Sequence, residues 1–237
     1  PALSVQTACS SSLVAVHQAC RSLLAGEADV MIAGGVGISL DVLGGYQHQA
    51  GHIFSADGRC SPFSADASGT VPANGWGLVV LRPLSAALRA KDRVLAVIKG
   101  SAVNNDGANK VGFTAPSVEG QATVIHNAMQ KAGVSAIHLG YVETHGTATA
   151  LGDPIEIEAL SRAYGPGPQG AIAIGSVKSQ IGHMGSGAGV AGLIRTVLAL
   201  HNRTLPPTLG FASPNPAIDF SQLPLRVLSE RVMTKKL

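Results

Sequence analysis

The sequence predicts an α/β fold, in which a sheet lies buried between helices. Short apolar segments, typical of strands buried on both faces, alternate along the chain with longer segments whose apolar residues recur every three or four positions. The second pattern is typical of amphipathic helices. With 237 residues, 46% of them hydrophobic and 13% charged, the chain can bury a sizeable core.

The charges are spread along the sequence. The 17 basic and 14 acidic residues are scattered, apart from the adjacent Lys235 and Lys236, and form no basic stripe that would bind nucleic acid. The charge pattern does not exclude a small partner that carries phosphate. No apolar run approaches the roughly 18 to 20 residues that span a bilayer, and no charged-then-apolar leader opens the chain. We therefore expect a cytoplasmic protein without a membrane or nucleic-acid partner.

The three cysteines, Cys9, Cys20 and Cys60, are odd in number and lack the CxxC spacing of zinc sites. We therefore expect neither a disulfide framework nor a bound metal. Cys20 falls on the core side of a predicted helix and Cys60 falls in a loop, so a structural role is expected for both. Of the three thiols, Cys9 is therefore the candidate for a chemical role.

The first predicted elements are a strand at residues 2–7, a helix at residues 10–25 that stops at Gly26, and a strand at residues 30–33. Cys9 lies between the first strand and the helix, where free N–H groups and the helix dipole favour a thiolate and can hold an oxyanion. A small buried cysteine is nevertheless the commoner finding at a helix start. Position alone leaves both interpretations open.

The rest of the chain continues the alternation. A long polar loop is predicted at residues 51–75, strands at 78–81, 93–102, 139–143 and 171–177, and helices at 117–132, from 153 onward and at 185–200. Ser117 is expected to cap its helix, which ends at Gly133. Asp153 is expected to cap a helix whose first residue is Pro154, with Glu156 completing something close to a capping box.

Two histidines, His145 and His183, follow directly after predicted strands. Active sites of open α/β folds gather at that edge of the sheet, so the two imidazoles and Cys9 can converge there. Taken singly, each histidine is more often structural. Asp153 and Glu156 have a second possible role beside capping, which is to support these histidines.

Four segments carry a family resemblance. They read Thr-Ala-Cys-Ser-Ser-Ser at residues 7–12, His-Gly-Thr-Ala-Thr at 145–149, Gly-Asp-Pro at 152–154 and Gly-Ser-Val-Lys-Ser-Gln-Ile-Gly-His at 175–183. In this order they resemble the motifs of the β-ketoacyl synthase family of the thiolase superfamily, above all those of modular polyketide synthases. The resemblance continues through residues 57–60, 100–107 and 114–117 and so covers nearly the whole chain.

The resemblance implies a thiolase-like layered α-β-α-β-α fold that is incomplete. Residues 1–91 would be the remainder of the first thiolase-like half and residues 92–237 most of the second. The family has further sequence before such a nucleophile strand and a Phe-Gly-x-x-Gly-Thr-Asn stretch after the last segment. We therefore expect the chain to be a fragment that is inactive, or nearly so, as written. A homodimer is also implied, in which residues 2–7 pair as an edge strand with their twin.

The resemblance also implies a reaction, the decarboxylative Claisen condensation that elongates polyketide or fatty acid chains. Cys9 would take the growing acyl chain, while His145 and His183 would promote decarboxylation of a malonyl-type extender and stabilise the enolate. Lys178 would support the site by its charge and hydrogen bonds. Two imidazoles suit this chemistry, because the enolate needs hydrogen-bond donors aimed at the thioester oxygen.

The implied substrates are carried on the phosphopantetheine arm of an acyl carrier protein, which Thr147 and Thr149 would contact. The second histidine favours such carriers, because a Cys-His-Asn set is typical of the relatives that use coenzyme A thioesters. No cofactor is expected in the domain itself, and neighbouring synthase domains such as an acyltransferase are expected partners. Because Cys9 is not glutamine, a purely decarboxylating loading domain is disfavoured.

Departures from the family pattern concern the shape of the pocket. Gln6 replaces a frequent acidic residue, Ala148 stands where glycine is common, and Met-Gly-Ser at residues 184–186 replaces a Leu-Asp-Ala-like stretch. Three other functions stay open: an inactive fragment that serves only for docking or dimerisation, a non-decarboxylating thiolase, and a cysteine hydrolase.

Two patterns suggest other ligands. Residues 187–192 fit GxGxxG, but the preceding strand ends too early and His183 intervenes, so close helix packing is favoured over dinucleotide binding. His48 and His52 are spaced as metal ligands on a helix would be, but Gly51 weakens that helix and no third ligand is evident. A solvated or pocket-lining role is favoured for both.

Overall fold

The computed structural model describes residues 2–40, 44–108 and 116–234. Its helices are α1 Ser11–Leu24, α2 Leu84–Ala90, α3 Val118–Ala132, α4 Gly152–Tyr164, α5 Lys178–Ile181 and α6 Ala188–Asn202. Its strands are β1 Met31–Gly37, β2 Gly75–Leu81, β3 Tyr141–Glu143, β4 Ile172–Gly175, β5 Thr204–Leu205, β6 Leu225–Val227 and β7 Val232–Met233. Lys235, Lys236 and part of the segment 114–117 lie outside the described residues.

The strands form three small sheets. Strands β3, β4 and β6 lie parallel, with β4 in the centre, while β1 pairs antiparallel with β2 and β5 pairs antiparallel with β7. All four residues of β4 are buried, as expected for a central parallel strand covered on both faces. The predicted α/β fold is therefore confirmed, and the parallel sheet brings the carboxyl ends of β3 and β4 side by side.

Helices α1 and α6 pack closely against each other through small residues. A Cβ atom added at Gly189 would lie 2.6 Å from Leu13 Cγ and 3.1 Å from Ser12 Oγ. The buried Ser12 hydroxyl accepts a hydrogen bond of 3.0 Å from the Val190 N–H in the first turn of α6. The prediction that the GxGxxG run at residues 187–192 serves helix packing is confirmed.

The predicted caps of α3 are confirmed. The Ser117 side chain accepts a hydrogen bond of 3.0 Å from the Gly120 N–H, which has no partner inside the helix. Gly133 takes a φ of 63° at the other end, in the left-handed region that glycine adopts without strain.

The predicted strand at residues 93–102 is wrong, and the predicted strands at 30–33 and 78–81 are both longer than predicted. Residues 93–102 belong to no strand of the described chain, and Val97 is 52% exposed. Residues 2–7 pair with no strand of the same chain, so their pairing with a second copy stays a prediction. A strand requires a neighbouring backbone to accept and donate its hydrogen bonds, and an apolar composition does not provide one. Strand β1 runs on through Gly34 and Gly35, because both glycines stay paired with β2.

Within the described residues, no helix has the length and apolar character needed to cross a membrane.

Replacing Ser12 by alanine is expected to lower the free energy of unfolding by about 1 to 3 kcal/mol, because the buried Val190 N–H loses its acceptor. Urea unfolding measures the change. The matched control is Ser22→Ala near the other end of α1, where a change within about 0.5 kcal/mol is expected. Equal stability of the Ser12 and Ser22 variants would contradict the proposed link between α1 and α6.

Candidate active site

Cys9 lies in a tight 3₁₀ turn, Ala8–Ser10, directly before α1. Ala8 has a φ of 53°, which is uncommon for a residue with a side chain and stores local strain. The turn is held by two hydroxyls, since Ser11 Oγ accepts from the Thr7 N–H at 2.9 Å and Ser10 Oγ donates to the Thr7 carbonyl at 2.8 Å. The thiol is therefore presented, partly exposed, at the entrance of a helix.

The structure brings the three predicted catalytic side chains together. One ring nitrogen each of His145 and His183 and the Sγ atom of Cys9 all lie within 4.8 Å of one another. The two rings stand edge to face, with centroids 5.6 Å apart and planes at 89°. His145 follows β3, and His183 follows the short α5 after β4. The two histidines lie close together because the parallel strands β3 and β4 end side by side.

Backbone contacts fix the orientation of His183. The Gly185 N–H donates to His183 Nδ1 at 3.0 Å, so Nδ1 carries no proton and the neutral ring has its proton on Nε2. A metal-bound histidine usually donates through its second nitrogen, which this ring cannot do. Although the spacing of Cys9, His145 and His183 would suit a metal, the arrangement favours a hydrogen-bond donor for the substrate.

The backbone of His145 is held from two sides. The buried Lys178, which is 4% exposed, donates from Nζ to the His145 carbonyl oxygen at 2.6 Å. Glu156 on α4 accepts from the His145 N–H at 2.6 Å and from the Gly146 N–H at 2.8 Å. Charged groups make such hydrogen bonds roughly twice as strong as neutral ones. The position of His145 is thus set by a clamp of Lys178 and Glu156.

The predicted capping by Asp153 and Glu156 is wrong. Helix α4 begins at Gly152, and its N-cap residue Leu151 makes no side-chain cap. Asp153 instead points inward and accepts from the Phe63 N–H at 2.7 Å and the Ala148 N–H at 3.0 Å. Both carboxylates are drawn away from the helix end because the loops beside it offer them buried backbone donors.

Asp153 also stabilises an unusual backbone at Ala148. This residue is fully buried and has a φ of 57°, in the region that favours glycine. The bond from its N–H to Asp153 helps to hold the conformation. Burial raises the pKa of Asp153 to about 7, although its hydrogen bond from Phe63 lowers it in part.

Both candidate histidines are neutral at neutral pH. The His145 side chain reaches solvent in part, yet burial lowers its pKa to about 3, with further contributions from the charges of Lys178 and His183. Burial and then the Lys178 charge lower the pKa of His183 to about 4. Burial also lowers the pKa of Lys178, opposed by the charges of Glu156 and Glu143. The site therefore presents neutral N–H donors beside a buried amine.

Thr147 and Thr149 lie on the loop between His145 and α4. Their hydroxyl oxygens are 3.1 Å apart, and Thr149 Oγ1 accepts from the Gly152 N–H at 3.2 Å. Both side chains are half-buried. A contact of these hydroxyls with phosphopantetheine stays a prediction.

The remaining singled-out side chains lie elsewhere. Burial raises the pKa of Cys60 to about 11 and also raises the pKa of the half-buried Cys20, so both thiols are poor nucleophiles. His48 and His52 are exposed and lie outside any helix, and His48 Nδ1 is 3.1 Å from the Phe54 carbonyl oxygen.

Sequence reasoning missed an ion pair behind the site. Arg195 on α6 bonds to Glu143 at the end of β3, and both side chains are almost fully buried. The available signal was an arginine within the apolar run Gly-Leu-Ile-Arg-Thr-Val-Leu, since arginine is rarely buried unless it is paired.

The chain shares its fold with solved ketosynthases and matches two family models. Solved structures with the same fold are thiolase-like ketosynthase domains, which confirms the predicted thiolase-like fold. Residues 1–87 match the model of the β-ketoacyl synthase N-terminal domain, and residues 95–212 match that of the C-terminal domain. The chain belongs to the β-ketoacyl synthase family.

Several relatives are polyketide synthases. The chain is 51% identical over 233 residues to a phenolphthiocerol/phthiocerol polyketide synthase protein of Mycobacterium tuberculosis, an alignment that covers 97% of this chain and 16% of that protein. It is 50% identical over 219 residues to a second protein of the same synthase, covering 92% of this chain and 14% of the relative. The chain thus spans about a sixth of the length of these relatives.

Two solved structures illustrate the likeness. The ketosynthase from module 1 of the bacillaene synthase of Bacillus amyloliquefaciens has a TM-score of 0.91 at 41% identity, covering 97% of this chain and 41% of that one. The oxazolomycin ketosynthase domain of Streptomyces albus has a TM-score of 0.93 at 42% identity, covering 100% of this chain and 42% of that one.

We expect nuclear magnetic resonance titration to show both histidines neutral down to about pH 5, because their pKa values lie near 3 and 4. Both values lie below the ordinary 6.5, so the unfolded chain takes up protons at these histidines more readily than the folded chain. The free energy of unfolding should therefore be highest above about pH 6.5 and should fall as the pH drops towards 4. In Lys178→Met, the loss of the cation should raise both pKa values. A parental His183 that titrates near 6.5 would contradict this account.

Proposed function

We propose that this chain, as part of a whole ketosynthase domain, catalyses the decarboxylative Claisen condensation of an acyl group on Cys9 with a malonyl-type thioester on an acyl carrier protein. The chain spans 41% of a solved ketosynthase, and the whole domain is the parental protein in the assays below. The observation that carries the proposal is the cluster of Cys9 Sγ with ring nitrogens of His145 and His183 within 4.8 Å. A nucleophile and two hydrogen-bond donors at this spacing can hold an acyl group and an enolate close enough for a carbon–carbon bond to form. Membership of the β-ketoacyl synthase family supports it.

In the first half-reaction, the Cys9 thiolate attacks the carbonyl carbon of a carrier-bound acyl thioester. A carbon–sulfur bond to Cys9 forms, the bond to the phosphopantetheine sulfur breaks, and the carrier leaves as a thiol after taking up a proton. The turn before α1 suits this step, because the N–H groups at a helix start stabilise negative charge on the thiolate and on the tetrahedral oxyanion.

In the second half-reaction, the Nε2–H of His183 and a ring N–H of His145 donate to the malonyl thioester oxygen. The bond to the carboxylate breaks, carbon dioxide leaves, and the electron pair stays as an enolate. The enolate carbon then attacks the acyl carbon on Cys9, and the Cys9 thiolate is expelled. Neutral donors suit this step because negative charge develops on the oxygen they face.

The supporting residues belong to the same proposal. Lys178 and Glu156 position His145, Asp153 holds the loop that carries Thr147 and Thr149, and these two hydroxyls would bind the phosphopantetheine arm. The domain needs no bound cofactor for this chemistry, because the reactive groups arrive on the carrier. Residues 1–91 would represent the remainder of the first thiolase-like half and residues 92–237 most of the second.

The proposed partners are an acyl carrier protein, a second copy of the chain and neighbouring synthase domains such as an acyltransferase, in the cytoplasm. Polyketide synthase relatives support the carrier and the neighbouring domains. Residues 2–7 form no strand with the described residues, which leaves them available to a second copy.

A second candidate function is that of a docking or dimerisation module without catalysis. It is favoured by apolar side chains on the outer face of the β1–β2 sheet, where Trp76 is 73% and Val80 70% exposed. Release of carbon dioxide from malonyl carrier protein separates the two, because a docking module releases none.

Replacing His183 by alanine is expected to lower carbon dioxide release by about 100- to 1000-fold, because one donor to the thioester oxygen is lost. Acylation of Cys9 should persist, since the turn at residues 8–10 does not depend on that ring. Radiolabelled carbon dioxide and mass spectrometry of the Cys9 peptide report the two half-reactions.

The control is His126→Ala on the exposed face of α3, which should match the parental protein in both assays. Parental rates of carbon dioxide release by the His183 variant would show that His183 has been given the wrong role.

A further inference from the structure

A buried ion pair lies behind the candidate active site. Arg195 on α6 bonds through Nη1 to Glu143 Oε2 and to the Tyr141 hydroxyl, and the two charged side chains are only 6% and 10% exposed. The Tyr141 hydroxyl also donates to Glu143 Oε2 at 2.6 Å. The proposed reaction uses none of these three side chains directly.

Two glycines make room for the pair. A Cβ atom added at Gly192 would lie 3.0 Å from Glu143 Cγ, and one added at Gly175 would lie 3.0 Å from the Tyr141 hydroxyl. Contacts this short are tighter than a side chain normally allows, so larger residues would push into the pair. Both neighbouring elements, α6 and β4, are therefore shaped to accommodate it.

Glu143 links the ion pair to the active site through two stretches of backbone. Glu143 Oε1 accepts from the Val177 N–H at 2.6 Å, and Val177 directly precedes Lys178. Glu143 itself lies two residues before His145 on the same strand end. One carboxylate thus holds the turn that carries Lys178 and the strand that leads into His145.

The other end of the pair fixes a neighbouring loop. Arg195 Nη2 donates to the carbonyl oxygens of Pro206 and Pro207 at 3.0 and 3.1 Å. The guanidinium therefore cannot turn away from Glu143 without losing these bonds as well, which keeps the carboxylate in place.

We propose that the Arg195–Glu143 pair is a positioning device that sets the Lys178 turn against the His145 strand end, an inference that rests on the proposed function. Stability alone does not explain the pair, because replacing a buried ion pair by apolar residues of similar size is often neutral or stabilising. The bond from the Val177 N–H gives the pair a specific role, since it keeps Lys178 Nζ in reach of the His145 carbonyl.

The test compares two double variants. Glu143→Leu with Arg195→Met removes both charges and the acceptor for the Val177 N–H, and should lower the kcat of malonyl decarboxylation about 100-fold at unchanged KM. Glu143→Gln with Arg195→Met also removes both charges but keeps an amide oxygen for Val177, and should lose only about 10-fold, because Arg195 no longer holds that oxygen in place. Acylation of Cys9 should be unchanged in both, because the turn that carries Cys9 is held by the Ser10 and Ser11 hydroxyls.

The matched control is the exposed pair Arg82–Asp92, changed to Gln and Asn, which should decarboxylate at the parental rate. A folded Leu/Met variant with parental decarboxylation would overturn the inference, and so would equal losses of acylation and decarboxylation. If Leu/Met does not fold, the Gln/Met variant decides, since a 100-fold loss there contradicts a role through Val177. Absence of carbon dioxide release from the parental protein would instead refute the proposed function.

Discussion

The arrangement of the site depends on the clamp around the His145 peptide. Lys178 binds its carbonyl oxygen and Glu156 its N–H, each at 2.6 Å, and the two side chains come from different elements. Because Lys178 is buried and Glu156 accepts from two backbone N–H groups at once, losing either side chain would leave polar groups of the His145 peptide without a partner. The clamp joins the end of β3, the start of α5 and the first turns of α4, and so fixes where the imidazole can lie.

The same clamp has an electrostatic consequence. Lys178 is a cation beside two imidazoles, so it opposes their protonation while burial disfavours their charged forms even more. Glu156 and Glu143 partly offset the cost of burying the amine. What results is a site with neutral donors and a nearby positive charge, an environment that stabilises negative charge better than it binds protons. This matches an enolate intermediate.

Much of the site could be predicted from the sequence, because Cys9 lies at the start of a predicted helix, and His145 and His183 follow strands β3 and β4, whose parallel pairing brings their ends together. The caps of α3 were predictable because serine and glycine are the residue types that commonly begin and end helices. Asp153 was misplaced because its acceptor role depends on Phe63, far away in the chain. The Arg195–Glu143 pair was missed because only the packing of α6 on β3 brings the two residues into contact.

The most direct test of the account is the rate of carbon dioxide release from malonyl carrier protein by Glu156→Gln. An amide at this position cannot accept both backbone N–H groups, so His145 should shift and the rate should fall about 100-fold, with Cys9 acylation unchanged. Glu158→Gln on the same helix, whose partner is the exposed Arg162, should behave as the parent. A folded Glu156→Gln protein with the parental rate would contradict the claim that the clamp positions His145.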